Sequence, residues 1–257
     1  YSWMHILFLI GCRALTIPEA KAGVRAALSV HDGRTKHPEV SAAIDALAAL
    51  NPTETPAKAK SVLLGNWKQI NAPEYPGMLG FDSEGKLQYT LGRLAFNLFE
   101  PKDLVCSISD ILNPLKEGDG SSIDYAINIP LTFQSESGAQ VQGKLLNFAQ
   151  CDVVSDDRIS VRFLGGELRP ATDCGAEWAA TFGTALQVKR GLRAKITSRL
   201  MKMMIGLEPP NKMARDGVMS YQMNRAPEGW LDILFLDEEW RITKGNRGSI
   251  VVAERVE

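Results

Sequence analysis

The sequence predicts a mainly β protein: an antiparallel barrel preceded by a helical pair and interrupted by a helical insert before its closing strands. Three observations predict it. Apolar residues alternate with polar ones in close-spaced runs between residues 61 and 164, and strand-like runs return between 217 and 256. Period-two alternation marks a strand with one buried face. Two runs with helical spacing lie ahead of the first set. A stretch from Ala176 to Leu207, rich in Ala, Leu, Met, Lys and Arg, separates the two sets. First and last strands so far apart in sequence suit a barrel, because closure removes exposed sheet edges.

The composition sets bounds. With 257 residues, 45% hydrophobic and 23% charged, the chain can build a core and does not read as disordered. The length allows one large domain or two small ones. A net charge of −1 excludes nucleic-acid binding by bulk electrostatics. The four cysteines (Cys12, Cys106, Cys151, Cys174) form no C-x-x-C pair, and His5, His31 and His37 are the only histidines. No metal site of the usual zinc spacing is therefore expected, and no disulfide framework, although a single bridge stays open. The organisation reads as an apolar N-terminal segment over 1–17, a helical pair over 18–56, and the barrel over 57–257 with its insert at about 176–208.

The run Tyr1–Cys12 is strongly apolar. As a helix it would reach only roughly 18 Å, short of a ~30 Å hydrocarbon core, so it cannot cross a bilayer alone. Pro18–Val30 begins with a proline just inside a helix start and Glu19 in the first turn, and it stops at His31-Asp32-Gly33. Pro38–Leu50 places Val40, Ile44, Leu47 and Leu50 on one face, and Asn51-Pro52 ends it. Strands are predicted at Ser61–Ile70, Leu87–Phe96, Leu104–Ile111, Ile123–Phe133, Val141–Val154 and Arg158–Leu164. Pro130 implies an edge or a bulge in its strand, and Gly165-Gly166 reads as a turn. After the insert come Val218–Asn224, Trp230–Leu236, Trp240–Lys244 and Ser249–Val256, the last two joined at Asn246-Arg247-Gly248.

Three segments together carry a family resemblance: Asn51–Pro56 (NPTETP), Leu63–Lys68 (LLGNWK) and Leu236–Val252 (LDEEWRITKGNRGSIVV). The set resembles the plastid-lipid-associated protein, or fibrillin, family over about residues 19–256. The closing segment is the most specific part, with Asp237, Arg241, Ile242, Gly245 and Gly248 in place. Lys244, Val251 and Asn71-Ala72 depart from the pattern. Gly65 and Trp67 also match the G-x-W of lipocalins, so the resemblance implies a lipocalin-like barrel. In such a barrel the indole plugs the closed end and an arginine, here Arg241 or Arg255, stacks on it.

No catalytic pattern stands out, and no G-x-S-x-G, phosphate loop or H-E-x-x-H occurs, so a non-enzymatic protein is expected. Candidate ligand-pocket residues are Trp67, Phe81, Tyr89, Phe96, Phe133, Phe148, Phe163, Trp230 and Phe235, each of which serves equally well as core. The insert holds Lys189, Arg190, Arg193, Lys195, Arg199 and Lys202 and no acidic residue between Trp178 and Leu207, so it carries +6 against −7 elsewhere. A basic amphipathic helix of this kind can dock on an anionic membrane or partner. The resemblance implies a peripheral protein of thylakoid or plastoglobule membranes. It implies a carotenoid, chlorophyll, quinone or lipid as ligand class, and plastid membrane lipids as partners. The alternative is an assembly subunit with a filled barrel, docked on photosystem or antenna proteins.

Overall fold

Local signals set the N-terminal helices of the computed structural model, which describes residues 14–171, 175–187, 206–225 and 228–257. Helix α1 (Ile17–Val30) is capped by a Thr16–Glu19 box, in which the Glu19 carboxylate accepts from the Thr16 amide at 3.0 Å and its hydroxyl at 2.6 Å. Helix α2 (Pro38–Ala48) starts on a proline, where a missing N–H costs nothing. The pair buries Ala20, Val24, Leu28, Val40, Ile44 and Leu47.

These side chains pack on Phe235, Trp240, Ile242 and Val252, from the strands β11 (Glu228–Leu236), β12 (Trp240–Gly245) and β13 (Ile250–Val256). The neighbours Arg241 and Ala253 pair across the β12–β13 ladder and face the other way, toward Trp67. The helical pair thus covers the outer face of the closing strands.

The described strands form one antiparallel sheet of 13. The others are β1 (Asn66–Gln69), β2 (Met78–Phe81), β3 (Leu87–Thr90), β4 (Val105–Ile108), β5 (Leu115–Glu117), β6 (Ile123–Gln134), β7 (Gln140–Cys151), β8 (Arg158–Pro170), β9 (Leu207–Glu208) and β10 (Met219–Met223). The ladder runs β1-β13-β12-β11-β8-β7-β6-β4-β3-β2, with β5 on β6, β10 on β8 and β9 on β10. Residues 111–115 lie between its near end and its middle. Gly65 and Leu115 exchange backbone bonds at 2.9 Å, and the Asn113 amide donates to Trp67 at 2.7 Å. On the other side Leu112 and Asn128 exchange bonds at 3.0 and 2.8 Å.

The structure departs from the alternation at four places. The first half of the predicted Ser61–Ile70 strand is a helical turn, α3 (Lys60–Leu63). β3 stops at Thr90 and passes into a second turn, α4 (Leu91–Leu94), because Leu91, Leu94, Ala95, Leu98 and Phe99 are all buried rather than alternately so. Pro130 lies inside β6, not on an edge: β6 pairs with β7 along its full length. On its other face its partner changes from β4, at Leu131, to Leu112, at Asn128, so the missing N–H falls in a gap. Gly165-Gly166 is no turn but mid-strand in β8, beside the register shift at Phe148. There the Tyr221 carbonyl and ring come so close that a Cβ would meet them at 2.4 and 2.7 Å.

Of the helical insert, the described part is α5 (Gly175–Gln187); residues 188–205 lie outside the described residues, as do 1–13. Trp178 and Phe182 of α5 enter an interior cluster with Phe133, Leu145, Leu168 and Tyr221. A second interior cluster surrounds Trp67, with Ile123, Tyr125, Ile159, Ile233 and Ala253. Replacing Ile44, fully buried between the helical pair and the sheet, by Ala should destabilise the protein by about 2–5 kcal/mol. Urea unfolding monitored by circular dichroism will measure this, and a midpoint unchanged from wild type would mean that the pair does not fold as one unit with the sheet.

Candidate functional site

Gly65, Arg241 and Arg255 converge around Trp67. Its indole is fully buried and donates to the Leu63 carbonyl at 2.9 Å. The Arg255 guanidinium lies 4.2 Å from the indole centroid and that of Arg241 lies 5.1 Å away. Arg255 also donates to the carbonyls of Val62, Leu64 and Glu238. Gly65 leaves room for this: a Cβ there would meet the Arg255 Nη1 at 2.1 Å, and its φ of +147° suits glycine.

The neighbouring motifs are tied to the closing strands. Asn51 of NPTETP accepts from the Leu236 amide at 2.9 Å, and the Thr53 hydroxyl donates to the Leu236 carbonyl at 2.6 Å. Asp237 accepts from the amides of Glu239 and Trp240 and pairs with Lys21 at 2.7 Å. Gly245 and Gly248 make the β12–β13 turn, Gly248 at φ +82°. Asn71, at a position that departs from the family pattern, is buried and bridges to β13: it accepts from Val252 at 2.8 Å and donates to Ile250 at 3.0 Å. These side chains hold backbone; none is arranged as an acid–base or nucleophile couple.

The candidate pocket residues separate into three groups. Trp67, Tyr89 and Phe133 are buried in the interior clusters, and Phe163 packs partly buried against the one around Trp67. Phe235 is buried on the opposite face, under the helical pair, because a register shift between Ile233 and Phe235 reverses the alternation of β11. Phe81, Phe96, Phe148 and Trp230 are exposed, so they do not line the interior. Phe81 lies on the end strand β2, Phe96 has a φ of +53°, and Arg158 covers Trp230 at 5.1 Å. The six basic candidates, Lys189, Arg190, Arg193, Lys195, Arg199 and Lys202, lie outside the described residues.

The sequence reading missed the packing around Trp178. The Trp178 ring lies on Gly143, where a Cβ would meet it at 2.5 Å, and its indole donates to Gly217 at 2.9 Å. The Tyr221 hydroxyl, beside Gly166, donates to the buried Asn147 at 2.6 Å. Glycines at mid-strand, where packing favours larger residues, were the available signal. A cleft of about 280 Å³ lies at the margin of the Trp178 cluster, between Asp32-Gly33, Gln69–Pro73, Leu87 and Ile108–Ile111.

The PAP_fibrillin family model matches residues 137–254, from the β6–β7 turn through β13. This match supports assigning the chain to the PAP/fibrillin family. The matched stretch contains Asp237, Arg241, Gly245 and Gly248, whereas Gly65, Trp67 and the helical pair precede it. The match fits a plastid lipid-associated protein. No curated protein and no solved structure matches the chain.

Burial disfavours the charged form of several ionisable groups in these clusters. Burial pushes the thiols of Cys106 and Cys151, and the Tyr125 phenol, up to about 12, and raises Tyr75, Tyr89 and Tyr221 as well. Arg241 is driven down to about 10 by burial, with the Arg255 charge adding to the effect, and its Nε is buried without a hydrogen-bond partner. Its compensation is the Trp67 ring.

Unfolding returns the thiols to 9.0 and the phenols to 10.0, so the folded state binds more protons than the unfolded one between those values and about 12. Their contribution is complete below pH 9 and lost as pH rises to about 12; Arg241, depressed from 12.5 to about 10, works in the opposite sense above pH 10. Stability should therefore fall from about pH 9 upward. The double variant Cys106→Ala/Cys151→Ala should fall less steeply at the start of that window, in urea midpoints measured across it.

Proposed function

We propose that this protein is a non-enzymatic, lipid-associated protein at the surface of thylakoid or plastoglobule membranes, in which the sheet is a packed scaffold and the outer surface makes the contacts. The observation that carries the reading is the family match over residues 137–254.

The bridges from residues 111–115 to β1 and to β6 support a lipocalin-like barrel: they join the first strand back to the middle of the ladder. Gly65, Asp237, Arg241, Gly245 and Gly248 then act as closing devices. Interior packing favours a scaffold over a carrier. Trp67 with its two arginines fills one end, Trp178 and Phe182 fill the other, and Ile127 packs against both clusters between them. Four of the nine aromatic candidates face outward instead. A carotenoid, chlorophyll, quinone or lipid is met, in this reading, on the outside. The basic residues from Lys189 to Lys202 are the docking element toward anionic lipid. The same packed interior also supports the second reading, an assembly subunit that docks on photosystem or antenna proteins.

Flotation with vesicles tests this. Wild-type protein should float with vesicles containing anionic lipid and much less with neutral ones, and replacing the six basic residues by Gln should abolish the difference. Flotation unchanged by those replacements would sink the docking role. Pigment or lipid recovered in stoichiometric amount from protein purified away from membranes would restore the carrier. Flotation with neither vesicle, together with comigration with a membrane complex, would select the assembly subunit.

A further inference from the structure

The turn between α1 and α2 brings together three donors that stand apart from every motif above. His31 ends α1, His37 is the cap residue before α2, and Glu39 lies in the first turn of α2. His31 Nε2 is 2.9 Å from Glu39 Oε2. The His31 and His37 rings stack, with centroids 3.5 Å apart and planes at 16°. One ligand atom from each of the three residues falls within 4.8 Å of the other two. His37 Nδ1 is buried and has no hydrogen-bond partner.

We propose that His31, His37 and Glu39 form a binding site for a divalent transition-metal ion of the zinc class. Two imidazole nitrogens and one carboxylate oxygen are a borderline donor set, which suits Zn²⁺ and discriminates against Mg²⁺ and Ca²⁺. Donors bound to zinc lie about 2.0–2.2 Å from it, so two of them are at most about 4 Å apart. The present spread closes to that with small side-chain movements. Stacked rings hold their lone pairs side by side, so one ring must turn about χ2 for both to converge, and the ion replaces the stack.

A plain surface ion pair explains the arrangement less well. A His31–Glu39 pair with a largely exposed carboxylate contributes little by itself. It leaves the second imidazole without a role. The neutral imidazole is the form that ligates a metal, and two such rings lie 3.5 Å apart here.

The scaffold is rigid where the site needs it. Val24, Leu28, Val40, Ile44 and Leu47 fix both helix ends against the sheet. The loop between them is pinned by the Ala72 amide donating to Gly33 at 3.0 Å, by the Thr35 hydroxyl donating to Glu74 at 2.7 Å, and by Lys36 pairing with Glu74 at 2.7 Å. Ligands held on fixed helix ends are the arrangement that metal sites require. Three protein donors leave a fourth position for water or for a ligand from another molecule. The site precedes residues 137–254, so it does not rest on the family match.

Metal-free full-length protein titrated with zinc chloride in a calorimeter should bind one equivalent. Binding should be lost in His31→Ala/His37→Ala and weakened at least about tenfold in Glu39→Gln. The Glu39 side chain is 73% exposed, so that variant keeps the fold. Retention of the equivalent in the double variant would overturn the proposal by moving the ion to other donors, such as His5, Cys12 or Cys174. Failure of the wild-type protein to bind zinc would overturn it directly.

Discussion

The Arg255 guanidinium holds three separate pieces of chain on one indole. It stacks on Trp67 and donates to the carbonyls of Val62 and Leu64, which lead into β1, and of Glu238, in the β11–β12 turn. Helix ends and strand entries leave carbonyls that helix and ladder bonding do not satisfy, and a planar cation with five donors is suited to collecting them. β1 is only four residues long, so its ladder with β13 is too short to place the strand unaided. Arg255 and the Gly65–Leu115 bonds complete that placement. Arg241 occupies the same ring at the cost of a buried charge, which only a π face and a well-packed surround make tolerable.

From this joint the closing strands are covered on both faces. The closing strands carry the helical pair outside and the Trp67 cluster inside, while β6, β7 and β8 connect that cluster to the one sealed by α5. The three clusters are linked through single strands whose successive side chains belong to different cores. Trp240 and Ile242 face the helices, and Arg241 between them faces the indole. The helical pair is therefore not an appendage: loosening it would uncover the outer face of the strand that positions Arg241.

How much of this could be read in the sequence follows from what each strand touches. β6, buried at Ile129, Leu131 and Phe133 with Asn128, Pro130 and Thr132 between, keeps its alternation, and so was legible. β12 is buried at four consecutive residues, so the strand was legible in its apolar run and turn but not which of its faces meets which core. α3 and α4 were hidden because a single buried helical turn has no period to detect. Among the aromatics, sequence registered hydrophobicity but not direction: Phe235 and Phe148 sit beside register shifts that reassign their faces. The Trp67 environment was legible because G-x-W and the closing segment each have fixed spacing. The His31–His37–Glu39 cluster was not, since two helix ends meeting at a turn bring together residues whose spacing matches no zinc motif.

The far end of the ladder carries the opposite problem to closure. Among the described residues β2 has a strand neighbour on one side only, and Met78, Leu79 and Phe81 on it are exposed. A flat apolar edge of that kind invites a second chain to add a strand and start a fibre. The register of β2 shifts between Met78 and Gly80, with Gly80 at φ +139°. An incoming strand would meet two misaligned fragments instead of one continuous row of donors and acceptors. The kink leaves the edge greasy enough to adhere and too irregular to act as a template for polymerisation.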